Sequence, residues 1–232
     1  MKQAYILVVI LIGFSFIAAL PPDCRGTVVF EDDFESYEVG GEPTPTWRSF
    51  NDGPEATSIV VDSATADGSG QALELSTPTN YDGVNIETDF ETISTSARLK
   101  FDLYQIALSE NFLLFTVMEP TDGTFRESVA FQIYDGILSI SDFSSVTPGD
   151  VECALVTTQT WHEIQIELQF GENPTIGIKL DGEALPDCTD IAITPMKDLG
   201  IFYFVSAGAG AVNYIDNVRV VRFDENEAGE NQ

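Results

Sequence analysis

The sequence predicts an all-β protein, built as a two-sheet antiparallel β-sandwich with about a dozen strands. Runs of β-branched and aromatic residues recur from residue 28 to residue 222, with turn residues between them. No segment with helical periodicity follows the first 20 residues. Asp-Gly pairs occur six times, and they favour tight hairpins because both central positions of such a turn take positive φ.

Individual segments support this fold. Residues 97–103 and 162–170 alternate apolar and polar side chains, which is typical of strands with one face in the core and one in water. Residues 112–118 and 201–205 are apolar on both faces, which predicts central strands. The pair at residues 135–136 separates two strand-like runs and predicts a hairpin.

One domain is expected over residues 27–223, because no linker interrupts the strands. Residues 1–20 have the features of a secretory signal, with Lys2 before an uncharged apolar run and small residues at its end. An uncleaved anchor is the alternative, although the run of 17 residues is short for a span, where about 20 are usual. Residues 21–26 are interpreted as a short linker and residues 224–232 as an acidic tail. The expected location is extracytoplasmic, secreted or in the cell envelope, without a stable membrane span after cleavage.

Composition excludes some partners. Hydrophobic residues make up 44% of the chain, which suffices for a real core. The 10 basic and 38 acidic residues give a formal charge of -28. Such a surface repels nucleic acid and anionic membranes, and it favours the capture of cations.

Three cysteines in an exported chain predict one disulfide and one cysteine left over. Cys153 and Cys188 flank one hairpin unit, so we expect these two to pair. Cys24 lies just after the proposed signal. Its state as lipidated, free or paired is left open.

Three stretches of the chain resemble the concanavalin A-like lectin/glucanase superfamily, a jelly-roll group that includes laminin-G-like domains, in its secreted bacterial type. They are a "DDFESY…G…P…W" opening, a Trp-led strand followed by an "LDGE" hairpin, and a "YIDNV" closing strand, at residues 30–47, 161–183 and 214–220. The resemblance implies that the first and last strands pair side by side. Many relatives bind glycans, while others are glycosidases, polysaccharide lyases or adhesion modules.

The resemblance also raises two enzymatic alternatives. Glu31, Asp33 and Glu35 would share one face of a strand about 6.6 Å apart, a spacing that paired glycosidase carboxylates use. The opening of the domain is not where glucanase-like relatives carry this motif. Residues 131–134 and 203–208 are similar to two alginate-lyase strands but lack the histidine and the lysine of that pattern. His162, the only histidine, lies on an apolar phase and is interpreted as a packed structural residue.

A structural calcium ion is a further implication of the resemblance. In sandwiches of this type such an ion often joins an early acidic residue to the aspartate of the closing strand. Carried over, this implies Glu31 or Asp33 with Asp216, together with backbone carbonyls. The alternative is a solvated edge at which Asp216 bonds its own turn.

The polar face of residues 97–104 is the strongest candidate for ligand binding. It carries Arg98, Lys100, Asp102 and Tyr104, and Tyr104 could stack on a pyranose ring. The alternative is that this is only the outer face of an amphipathic sheet. Trp47 and Trp161 are interpreted as packing residues. The sequence therefore favours a non-catalytic module that binds carbohydrate or another surface ligand, with a glycan-active enzyme or a structural envelope module as alternatives.

Overall fold

A computed structural model describes residues 26–52, 56–63, 66, 70–77, 83–106, 112–119, 126–141, 151–192 and 198–223. The predicted signal, Cys24 and the acidic tail lie outside the described residues. Within those residues, no helix is long and apolar enough to cross a membrane.

The described residues form sixteen strands in two antiparallel sheets. Sheet A has nine strands: β1 (Thr27–Asp32), β3 (Thr57–Val61), β4 (Ala72–Thr77), β6 (Ser96–Gln105), β11 (Trp161–Gln169), β12 (Thr175–Leu180), β13 (Glu183–Ala184), β14 (Ile191–Ala192) and β16 (Ala211–Phe223). Sheet B has seven: β2 (Arg48–Asp52), β5 (Gly83–Ile93), β7 (Phe112–Glu119), β8 (Arg126–Tyr134), β9 (Ile137–Ser141), β10 (Val151–Leu155) and β15 (Leu199–Ala207). The predicted two-sheet sandwich is confirmed.

The strand order shows which strands are central and which lie at the edges of each sheet. Sheet A runs β13-β12-β11-β6-β16-β4-β3, with β1 beside β16 and β14 beside β12. Sheet B runs β10-β9-β8-β7-β15-β5-β2, so the doubly apolar strands β7 and β15 are central, as predicted. The pairing of β1 with β16 confirms the expected contact of the first and last strands. Asp135 and Gly136, at φ 50° and 75°, form the predicted hairpin turn between β8 and β9.

The core lies between the two sheets and is rich in phenylalanine. Phe101 of sheet A contacts Phe115 and Phe204 of sheet B, with ring centroids 5.0 and 5.1 Å apart. All three rings are fully buried. Burying a side chain of this size contributes about 1.5–3 kcal/mol, so these contacts hold the sheets together.

Cys153 and Cys188 form a disulfide, with Cα atoms 5.4 Å apart. The pairing is the one that the sequence predicts, but the geometric reason differs. The two cysteines do not lie across one hairpin, because β10 is the edge strand of sheet B and the short 3-10 turn Pro186–Cys188 follows β13 of sheet A. The bond therefore joins the edges of the two sheets.

Candidate ligand-binding surface

Strand β6 presents the predicted polar set on the outer face of sheet A. Its residues alternate strictly between buried and partly exposed, from Ser96 to Gln105. The partly exposed members are Arg98, Lys100, Asp102 and Tyr104. Because β6 lies between β11 and β16, side chains of both neighbours flank this set.

Three aromatic rings form a row across these strands. Tyr104 lies opposite Trp161 of β11 and Tyr214 of β16, and its ring centroid is 5.5 and 5.9 Å from theirs. Tyr104 and Trp161 are partly exposed, whereas Tyr214 is 9% exposed. Burial, with the nearby Glu74 carboxylate, raises the pKa of Tyr214 to about 12. Sequence reasoning assigned Trp161 to packing, because the register that brings it to Tyr104 is not visible in the sequence.

The basic side chains of this face are paired with carboxylates of the same face. Glu167 accepts hydrogen bonds from Arg98 at 3.1 Å and from Lys179 and Gln165 at 2.9 Å. Lys100 forms an ion pair with Glu163. We call these contacts of Glu163 and Glu167 with the basic side chains the ladder of sheet A. The ladder supports the alternative that much of the face is simply the outer surface of the sheet. Asp102 and Tyr104 lie beside the ladder.

A cleft of about 290 Å³ opens where β1, β6 and β16 meet. A bulge in β16 creates it, because Asn217 takes φ 51° and the register shifts between Asp216 and Arg219. The Asn217 amide donates to Asp102 at 2.8 Å. Burial raises the pKa of Asp102, against the lowering effects of the Asn217 hydrogen bond and of Lys100. The cleft is lined by Glu31, Asp32, Asp33, Lys100, Asp102, Asn217 and Arg219.

The residues of the implied calcium site do not assemble into a metal centre. Glu31 and Asp33 line the cleft, but Asp216 is buried and accepts backbone N–H groups of Ala66 and Asn217 at 3.1 and 2.7 Å. Among the described residues, no three His, Cys, Asp or Glu side chains group closely enough to hold a metal ion. The Arg219 guanidinium, 3.5 Å from Glu31, adds positive charge there. Calcium needs six to eight oxygen ligands, and the described side chains of the implied site do not supply them as one group.

The expected row of Glu31, Asp33 and Glu35 on one strand face is wrong. Strand β1 ends at Asp32, and Phe34 takes φ 59°, which turns the chain. Glu35 consequently accepts the backbone N–H of Gln71 at 2.5 Å, away from the cleft lining. Of the three carboxylates, Glu31 and Asp33 line the cleft and Glu35 does not.

Asp32, to which the sequence assigned no role, anchors the opening segment. It is 8% exposed and accepts hydrogen bonds from Phe34 N at 2.9 Å, Tyr37 Oη at 2.6 Å and Trp47 Nε1 at 2.8 Å. Burial and the Asp32 carboxylate raise the pKa of Tyr37 to about 12. Trp47 is 1% exposed, which confirms its packing role.

His162 is buried, as expected, but both ring nitrogens have polar partners. Nδ1 lies 2.8 Å from Asp181 Oδ2, and Nε2 lies 2.9 Å from Thr157 Oγ1. These contacts tie the segment before β11 to the turn after β12. Sequence reasoning missed both partners, because they lie in turns on either side of the strand.

The outer face of sheet B carries the two lyase-like strands. Gln132 and Tyr134 of β8 and Tyr203 of β15 share this face, since the residues between them point into the core. Tyr134, where the lyase pattern has histidine, is 57% exposed. The Tyr203 hydroxyl donates to Asn85 at 2.8 Å.

Comparisons with known proteins support the fold. No protein-family model and no curated protein sequence matches the chain. A sialidase matches with TM-score 0.67 and 14% identity over 88% of this chain, which corresponds to 19% of the sialidase. The endo-beta-1,4-glucuronan lyase of Trichoderma reesei matches with TM-score 0.62 and 15% identity, over 84% of this chain and 96% of the lyase.

The potassium-bound carbohydrate recognition domain of Emp46p matches with TM-score 0.58 and 8% identity, over 83% of this chain and 96% of that domain. At such identities the likeness shows the fold alone. It agrees with the concanavalin A-like sandwich that the sequence motifs indicate.

Proposed function

We propose that the chain is a carbohydrate-binding module whose sugar-contacting surface is the aromatic row of sheet A with the adjacent cleft. One observation carries the proposal. The partly exposed rings of Tyr104 and Trp161 lie beside a cleft that offers both hydrogen-bond donors and acceptors. Asp102 in the cleft is two residues from Tyr104 on the same strand face, so the Cα atoms of the two residues are about 6.6 Å apart.

This combination suits a sugar. A pyranose ring presents apolar C–H groups that stack on an aromatic ring, while its hydroxyls bond to carboxylates, amides and cationic groups. Asp102 and Asn217 supply the acceptor and the amide, and Arg219 supplies N–H donors. A volume of about 290 Å³ suits one sugar residue better than an extended chain inside the cleft.

The comparisons support the carbohydrate class without identifying the sugar. Two structural neighbours are named as a glucuronan lyase and a carbohydrate recognition domain. Binding without cleavage of glycosidic bonds is favoured here, because Glu31 and Glu35 are not positioned as a pair. The predicted signal and the Cys153–Cys188 disulfide support an extracytoplasmic location.

Tyr104→Ala tests this surface, with Tyr134→Ala on sheet B as the matched control. Both residues are tyrosines on outer strand faces, so the two variants remove the same group. A glycan array identifies a ligand, and calorimetric titration then measures its Kd. We expect Tyr104→Ala to weaken binding at least about fivefold, the scale of one aromatic contact, and Tyr134→Ala to leave it unchanged.

The reverse result would move the site to sheet B. Absence of binding across a broad array would instead support a structural or adhesive role. Steady release of reducing ends from β-glucans or alginate would restore the glycan-active alternative.

A further inference from the structure

Three side chains from separate segments meet at the end of β11. Thr157 follows β10, His162 lies in β11, and Asp181 stands in the turn after β12. The distances are 2.9 Å from Thr157 Oγ1 to His162 Nε2 and 2.8 Å from His162 Nδ1 to Asp181 Oδ2. Thr157 is exposed, whereas the imidazole is 10% exposed and held in place. The hydroxyl of an exposed threonine thus contacts a buried imidazole, and a carboxylate orients that imidazole.

The carboxylate is itself fixed. Asp181 Oδ1 accepts the backbone N–H of Glu163 at 2.9 Å, which leaves Oδ2 facing the imidazole. A carboxylate beside Nδ1 favours the tautomer with its proton on that atom, so the Nε2 lone pair faces Thr157 Oγ1. The Thr157 carbonyl oxygen lies 3.2 Å from Nε2, where it can accept a hydrogen bond from an N–H at that atom.

We propose that Thr157, His162 and Asp181 form a hydroxyl–imidazole–carboxylate set that hydrolyses acyl esters. The order of contacts is that of an activated hydroxyl nucleophile, recognised by geometry rather than by sequence position. The proposed substrate is an O-acylated sugar. The choice of a sugar as the alcohol of this ester rests on the proposed function. Trp161 and Glu163 flank His162 in β11, although their side chains lie on the outer face of sheet A and the imidazole lies on the buried face.

The reaction balances with water as the only co-reactant. Thr157 Oγ1 attacks the acyl carbon as its proton passes to His162 Nε2. The bond from that carbon to the sugar oxygen breaks, and the sugar oxygen takes the proton from Nε2. Water then attacks the acyl-threonine ester and gives a proton to Nε2, and Thr157 Oγ1 leaves with that proton. The products are a free carboxylic acid and the sugar hydroxyl.

The test uses the full chain and p-nitrophenyl acetate, an ester that needs no glycan site. We expect catalytic release of p-nitrophenol that falls at least about 100-fold in Thr157→Ala and in Asp181→Asn, within the range of general acid–base catalysis. Thr157→Ser keeps the hydroxyl and is expected to retain activity. Thr160→Ala, an exposed threonine three residues away, is the matched control and is expected to match the wild type.

Intact-mass analysis during turnover supplies a second readout. We expect a transient acetyl adduct on Thr157 in the wild type and none in Thr157→Ala. Equal rates in the wild type and Thr157→Ala, or an adduct only on lysine, would overturn the inference. Glycan binding measured in the same preparations separates this outcome from failure of the proposed function.

Discussion

The outer faces of the two sheets differ in how their side chains are partnered. On sheet A, Arg98 and Lys179 converge on Glu167, and Lys100 is bound by Glu163. On sheet B, charge is concentrated near one edge, where Arg48 lies 3.0 Å from both Glu87 and Asp89. The opposite edge of sheet B exposes apolar groups: Tyr134 is 57% exposed and Leu155 is 76% exposed, on either side of Ile137.

This difference shows why a charged face is not by itself a binding face. Arg98, Lys100 and Lys179 already contact carboxylates of the protein, so a ligand would have to displace those contacts. This is why the proposed binding surface is the aromatic row with the cleft at the β16 bulge and not the ion pairs. Sheet B exposes Tyr134, so this residue is the matched control in the binding test and also marks the alternative surface.

The largest expected effect concerns the bond that ties the two sheets at one edge. Replacing Cys153 and Cys188 by serine should lower the free energy of unfolding by about 3–4 kcal/mol, because the closed loop of 35 residues constrains the unfolded chain. Urea titration measures the loss, and reduced wild-type protein is the control. An unchanged midpoint would mean that packing alone holds the two edges together.

A smaller loss of stability is expected when the ion pairs of either sheet are removed, and it should be larger for the ladder of sheet A than for the Arg48 ion pairs of sheet B. Glu167→Ala should cost about 1–2 kcal/mol, because Arg98 and Lys179 lose a shared acceptor. Arg48→Ala should cost about 0.5 kcal/mol, since its side chain is 48% exposed. Denaturant melts at low and at high salt compare the two. Equal losses would contradict the distinction between the faces.

The smallest expected effect is that of calcium. Adding calcium or chelator at fixed ionic strength should leave the melting temperature unchanged, because Lys100 and Arg219 already place positive charge at the cleft. Thermal melts decide the point, with magnesium as the matched control ion. A rise with calcium that disappears in Asp216→Asn would instead establish the site implied by the family resemblance.

Features set by local alternation could be predicted from the sequence. Strand β6 shows this, because its polar and apolar phases appear directly in residues 97–104 and determine which side chains face out. Hairpins with Asp-Gly turns are predictable for the same reason, since the turn chemistry is local.

Features set by register or by a single backbone residue could not be predicted. The contact of Tyr104 with Trp161 depends on pairing across 57 positions of the chain. The failure of the opening carboxylate row depends on positive φ at Phe34, a residue type that rarely adopts it. The bulge at Asn217, which opens the cleft, has only a weak signature in the "YIDNV" motif, namely an asparagine, a residue type that adopts positive φ more often than most.

The contrast between the two tryptophans gives the molecule a built-in optical reporter. Trp47 is sealed in the core with its indole N–H bound to the Asp32 carboxylate, so solutes in water cannot reach it. Trp161 is partly exposed at the end of the aromatic row. The chain has two tryptophans, so iodide quenching of intrinsic fluorescence resolves an accessible and an inaccessible population. A sugar seated on Tyr104 and Trp161 would shield the first population and leave the second as an internal reference.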